Sequence, residues 1–355
     1  MEVKALGRIY RIAMVYAGSM IGAGFASGQE VMQFFTLYGG NGMIGAIIAG
    51  VLFAYLGVVT MLIAITKNTE NYMGILQDIL NDKLIKLFDG LCILMLAGGF
   101  LIMLAGSGAI FLEQFGFPAI TGIVCTALCT YLILTKGNQG FVNANALLVP
   151  IKMIAIFLVC MLIFLWGPSN NNFSEEITYK ENGAILSALL YVSYNMIVAV
   201  SVLSSLGKET AKKQGISGVF CGGILMGSMI LLVVMAQFIC LPHIVTYEIP
   251  LMYMASYLPG KCSFFISGLI WLAMLTTAVA DAHGFATRFY HAGSKKYRFT
   301  IFLLIIAMIP LALVKFSVLI KVLYPLFGYC GFVLVGALSL YPILVFLKRK
   351  RGFWL

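Results

Sequence analysis

Ten apolar runs joined by short polar connections leave this chain one environment in which to fold. A helix crosses a hydrocarbon core of about 30 Å with roughly 17–25 mainly apolar residues. Such runs occur at approximately 8–36, 43–66, 84–112, 117–135, 142–166, 183–206, 216–241, 262–287, 299–315 and 318–347. They are continuously apolar, whereas a membrane barrel would show a two-residue rhythm. Helices satisfy their own backbone inside lipid, so the sequence predicts an all-α integral membrane protein. Composition agrees. The chain is 61% hydrophobic and 10% charged, where a soluble domain carries about a quarter of charged residues. Soluble enzymes and nucleic-acid-binding modules are excluded on that ground.

The net charge of +10 is a matter of topology. With the N-terminus in the cytoplasm, 18 of the 23 basic residues fall on the cytoplasmic side, including the tail Lys348 to Arg351. Short basic loops stay on that side, so both ends are expected in the cytoplasm of a plasma-membrane protein. The first run is too long and too rich in glycine for a cleavable signal. The eight cysteines lie within spans or at a span end, with no CxxC, and read as small packing residues. His243, His283 and His291 offer no ligand spacing.

The widest polar connection, 167–182, separates five runs from five. An odd number of spans per half sets the two halves in opposite senses, the arithmetic of an inverted repeat. The organisation expected is one transmembrane domain over 1–355. It divides into a first repeat at 8–166, an extracellular linker at 167–182, a second repeat at 183–347 and a basic tail at 348–355.

Span 1 carries the most informative stretch, from Ala17 to Glu30, with Gly18, Gly22, Gly24 and Gly28 in it. Each glycine weakens a helix by about 1 kcal/mol relative to alanine. Small residues four apart can serve close helix packing. The alternative is an unwound segment lining a cavity, the one setting that tolerates irregular backbone at membrane depth. The clustering, with polar Gln29 and Glu30 directly after it, favours unwinding.

Gly18, Ile21, Gly22, Gly24 and Phe25 resemble the G-x-x-(I/V)-G-x-G-(I/F) pattern of the amino acid–polyamine–organocation (APC) superfamily. The string GAGFASGQEVMQFF at 22–35 is similar to its YkvI-like bacterial membrane proteins. The resemblance implies the LeuT fold, a five-plus-five inverted repeat with helix 1 broken and helix 6 broken too. In span 6, Tyr191 to Met196 resembles the family's second break but has no glycine, with Asn195 near the expected position. Read alone, Asn195 is a helix–helix hydrogen bond or a ligand contact. The resemblance places a solute beside Gly18, Ser19, Gly22, Ala23, Gly24, Tyr194 and Asn195. Amides at the break would face a carboxylate and carbonyls an ammonium.

Span 8 runs Ala273-Met274-Leu275-Thr276-Thr277, similar to the sodium-site segment of sodium-coupled LeuT-fold transporters. Carried over, the ligands are Gly18, Ile21, Ala273, Thr276 and Thr277. Membrane hydroxyls also commonly bond their own i−4 carbonyl and signify nothing. Lys152 competes with that ion. Ten residues into span 5, it lies about 15 Å deep at 1.5 Å per residue, where a lysine costs at least ~2.5 kcal/mol. Its segment, Pro150 to Ala155, resembles that of sodium-independent relatives in which a lysine replaces sodium. Glu30 could line the outer vestibule or carry a proton, and Asp281 could line the inner exit. Gly98, Gly99, Gly106 and Gly108 of span 3 are expected to pack against span 1.

The function so read is a secondary active transporter of a small organic solute, an amino acid or related amine. It works by alternating access, coupled to protons or independent of cations through Lys152. The alternatives are a sodium-coupled symporter and a solute receptor on the same scaffold. A channel lacks a filter loop, and an enzyme lacks a nucleophile–base pair. No cofactor is implied beyond sodium or a proton, and no partner beyond solute and bilayer.

Overall fold

The computed structural model of the chain describes residues 2–69, 72–79, 82–136, 139–168, 179–208, 210–258 and 262–350. Most of the linker 167–182, Glu209 and the last residues of the basic tail lie outside the described residues. The first pass is divided into α1 (Glu2–Met20), α2 (Ala23–Ser27) and α3 (Gln29–Phe34). Ile21 and Gly22 between α1 and α2 are not helical, and Gly28 between α2 and α3 holds φ +80°. That left-handed conformation costs other L-residues about 1–2 kcal/mol, so one glycine of the cluster is required by its backbone.

The remaining passes are α4 (Gly39–Thr66), α6 (Asp82–Phe115), α7 (Ala119–Lys136), α8 (Gln139–Trp166), α9 (Ala184–Ser205), α10 (Lys212–Ile239), α12 (Cys262–Thr287), α13 (Lys295–Leu311) and α14 (Phe316–Lys350). Among the described residues, seven helical stretches are long and apolar enough to cross a membrane by length and composition. The shorter α7 and α13 and the divided first pass make up the ten passes. The ninth sits earlier than its expected 299–315, because the Ser294 hydroxyl accepts from the Tyr297 amide at 3.1 Å and starts the helix there. Two short helices were not foreseen: α5 (Tyr72–Ile79), after α4, and α11 (Pro250–Ser256), after α10.

The expected break in the sixth pass is absent. Helix 6 is not broken: α9 runs without interruption from Ala184 to Ser205. The Asn195 amide donates to the Tyr191 carbonyl, four residues back, at 3.0 Å. An asparagine can thus serve the helix rather than open it.

The helices sort into two groups by contact. One joins α1, α4, α9 and α10; the other joins α6, α7, α12 and α13. Each group takes one pair from each half of the chain, at corresponding places, which is the five-plus-five arrangement. The first group is drawn together by backbone. A Cβ on Gly227 of α10 would lie 2.5 Å from the Gly50 Cα of α4, and one on Gly223 would lie 2.4 Å from the Ala54 nitrogen. The span 3 glycines do not pack against span 1. Gly98 faces Phe327 of α14, Gly99 and Gly106 face Asp281 and Met274 of α12, and Gly108 faces Ala119 of α7.

Candidate functional site

A cavity of about 530 Å³ opens beside the break between α1 and α2. Its lining draws on α1, α6, α8, α9, α12 and α14. Ser201 and Val202 near the end of α9, Cys92 early in α6 and Arg288 just after α12 carry it towards the face where α1 starts. With ten passes both chain ends lie on that face, called here the terminal face; the opposite one is the far face.

The structure brings together Gly18, Ser19, Ile21, Gly22, Glu30, Lys152, Tyr194, Asn195, Thr277 and Asp281 on this lining. Ala23, Gly24, Ala273 and Thr276 are buried and stand behind it. Within the cluster the glycines differ. A Cβ on Gly18 would meet Val149 of α8 at 2.4 Å, and one on Gly24 would meet the Glu30 carboxyl and the Tyr324 hydroxyl. One on Gly22 would meet nothing within 4 Å. Gly22 is therefore the glycine that gives the cavity room.

Lys152 is the fourteenth of the 28 residues of α8 and is 4% exposed. Its Nζ lies 3.5 Å from the Ile21 carbonyl, at the end of the interrupted α1. The break exposes a carbonyl that an intact helix would have used, and the ammonium is the cation at it. Thr276 and Thr277 both donate to the Ala273 carbonyl, each at 2.9 Å. Of the residues carried over as sodium ligands, the Ile21 carbonyl faces an ammonium and the Ala273 carbonyl receives two hydroxyls.

Towards the far face the cavity is shut. The Tyr194 phenol donates to the Glu30 carboxyl. Tyr194 stacks on Tyr324 with centroids 4.9 Å apart and lies 5.8 Å from Phe34. Behind this layer the Gln237 amide donates to the Gly28 carbonyl at 2.8 Å and accepts from the Thr36 hydroxyl at 2.6 Å. This ties α3 to α10 beside the left-handed glycine. Above them α11 packs on α2, α3, α8 and α12. The Glu113 carboxylate of α6 accepts from the amides of Glu248 and Ile249 at 2.7 and 3.2 Å. The Glu248 carboxylate in turn accepts from the Ser317 amide and hydroxyl, at 2.7 and 3.0 Å, where α14 begins.

At the terminal face, Arg288 pairs with Asp89 of α6, lies over the Tyr72 ring of α5 and also donates to its hydroxyl. Asp281 reaches the cavity wall opposite Gly99. Among the described residues no group of three or more His, Cys, Asp or Glu side chains forms a metal cluster. The residues that sequence reasoning missed are Tyr324 and Phe327, Arg288 with Asp89 and Tyr72, and the Gln237 tie. Pairs such as Tyr194 and Glu30, 164 positions apart, leave no local signal.

The fold and cavity define a multi-pass helical membrane protein with a broken first helix. Comparison with known proteins agrees with that class. Mhp1 in an inward-facing conformation superposes with a TM-score of 0.58 at 14% identity, over 98% of this chain and 78% of that one. The fold is the LeuT-like fold. The Eremococcus coleocola manganese transporter matches at a TM-score of 0.49 and 14% identity, covering 98% of this chain and 72% of its own. Two Bacillus subtilis (strain 168) proteins are similar along nearly their whole length. "Uncharacterized membrane protein YkvI" is 26% identical over 335 residues, 94% of this chain and 95% of its own. "Uncharacterized protein YyaD" is 27% identical over 337 residues, 93% and 96% respectively. No protein-family model matches the chain.

Proposed function

We propose that the chain is a secondary active transporter of the APC type that moves a small organic solute, an amino acid or related amine, by alternating access. The terminal face is cytoplasmic on this reading, and the conformation is the one open to the inside. The observation that carries it is the asymmetry of the central cavity. It reaches from the helix break at Ile21 and Gly22 to one face, and a hydrogen-bonded aromatic layer closes it from the other. A pore would be continuous, and a packed core would hold no cavity of this size.

The likeness to Mhp1 supports the scaffold, and the buried charges support the chemistry. Lys152 takes the part of a coupling sodium, because its ammonium stands at the Ile21 carbonyl. A sodium ion about 4 Å away would be strongly repelled in a poorly solvated site. Glu30 and Asp281 are carboxyls that line the same cavity, so a proton or an amine can be exchanged there. Tyr194 and Asn195 stand across from Gly22 to meet the solute.

The test is counterflow in proteoliposomes of the purified chain with the standard amino acids and polyamines, in sodium or in its absence. Counterflow with at least one of them, unchanged when sodium is replaced, is the expected result. Silence with all of them sinks the solute class, and flux that requires sodium sinks the role given to Lys152.

A further inference from the structure

On the far side of the aromatic layer lies a second cavity, of about 320 Å³, between α3, the segment 179–183, α9 and α14. Its chemistry differs from that of the central one. Two lysines line it, Lys180 from the segment before α9 and Lys321 from the start of α14, together with Asn182. Among the described residues no aspartate or glutamate does; Glu181, their neighbour in sequence, is not part of the lining.

Lys180 is held in place rather than left to wander. Its amide donates to the Leu37 carbonyl at 2.9 Å, and its ammonium lies over the Tyr38 ring, 4.9 Å from the centroid. The same cavity holds the amino end of α9. Gly183 caps that helix at φ +98° without a side-chain acceptor. The first amides of a helix lack intrahelical partners and carry a partial positive charge. Here the amides of residues 184–186 find no backbone acceptor among the described residues.

The half-buried Lys180, the exposed Lys321 and a helix amino end border one hollow, with no acid among the described residues of its lining. Burial, with Lys321 close by, pushes the Lys180 pKa below the ordinary lysine value. Like charges brought together are destabilising unless an anion stands between them. We propose that this hollow is a second binding site, which takes the carboxylate group of a small solute between Lys180 and Lys321. The amino end of α9 and the Asn182 amide supply further donors. Phe34 and Leu190 line this cavity, and Phe34 belongs to the layer that closes the central one. The site therefore lies one side chain's thickness from the central cavity. It exists whether or not the protein carries solute across, and its test needs no flux.

Amine acylation read by mass spectrometry follows each lysine in phosphatidylcholine nanodiscs. Sodium acetate is compared with sodium chloride at equal ionic strength. Acetate is expected to slow acylation of Lys180 and Lys321 together, severalfold, and to leave Lys295 and Lys296 unchanged. In Lys321→Gln, acetate is expected to lose its effect on Lys180. No difference between acetate and chloride overturns the site. So does equal protection of Lys295 and Lys296, which is general screening. Protection in phosphatidylglycerol nanodiscs without acetate, with acetate adding nothing, overturns the solute in favour of a lipid phosphate.

Discussion

Two sets of glycines in this chain look alike in sequence and do opposite things in the structure. Along α4 and α10, Gly50, Gly223 and Gly227 remove every side chain between two backbones, so that main chain meets main chain. Along the first pass, Gly22 faces open space and Gly28 holds a left-handed turn. The first set makes a seam that cannot be parted by a methyl group. The second makes a break whose freed carbonyl and open wall form a site. The lesson is that glycine spacing alone does not tell a seam from a hinge; what stands opposite each glycine decides.

The comparison can be broken most severely at the seam. Gly227→Leu drives a side chain into the Gly50 backbone, which cannot retreat as a side chain could. A loss above about 4 kcal/mol follows, read as loss of a monodisperse peak in detergent; a well-behaved Gly227→Leu protein would refute the seam. Next comes Lys152→Ala, which removes the ammonium from the Ile21 carbonyl. Uptake should fall by at least about tenfold, or 1.4 kcal/mol of barrier, with the protein still monodisperse. Undiminished uptake would strip the lysine of its part.

Tyr194→Phe keeps the stack on Tyr324 and deletes the bond to Glu30, at a cost of about 1–3 kcal/mol to the closed far side. A cysteine placed at Ser19, on the central side of the layer, should then react faster with a membrane-impermeant maleimide added at the far face; an unchanged rate would show that the aromatics close that side by themselves. Gly28→Ala is expected to cost about 1–2 kcal/mol through its left-handed backbone, seen as a lowered melting temperature. Gly22→Ala should change stability by about 0.5 kcal/mol or less, since nothing lies where the methyl would go. It should nonetheless weaken solute binding, and a large drop in melting temperature would move Gly22 into the seam class.

The membrane class, the ten passes and the break in the first of them were legible because each rests on local composition. Glycines clustered ahead of Gln29 and Glu30 announce a break in a way that no packing motif needs. Helix 6 was misread because Asn195 has the same donor whether it opens a helix or bonds Tyr191 within it, and sequence does not hold that choice. The partners of Gly98, Gly99 and Gly106 were misassigned because a small residue states that something comes close and not what. The start of α11 had a signal, Ile249-Pro250, since proline suits the first turn of a helix. Its ties through Glu113 and Glu248 had none. Of the candidate site, Lys152 was legible by its cost in lipid. The layer of Phe34, Tyr194 and Tyr324 was not, since it is assembled from three distant passes.

The strap formed by Glu113 and Glu248 has a mechanical consequence. It binds the stretch leading into α11 to the end of α6, which lies outside the α1, α4, α9 and α10 group, and to the beginning of α14, a helix that packs on both α9 and α6. On a rocking mechanism the small cap would stay behind with the frame while α2 and α3 draw out from under it. The doorway to the outside would then be a slit beneath a fixed eave, opened by the floor dropping and not by the roof lifting.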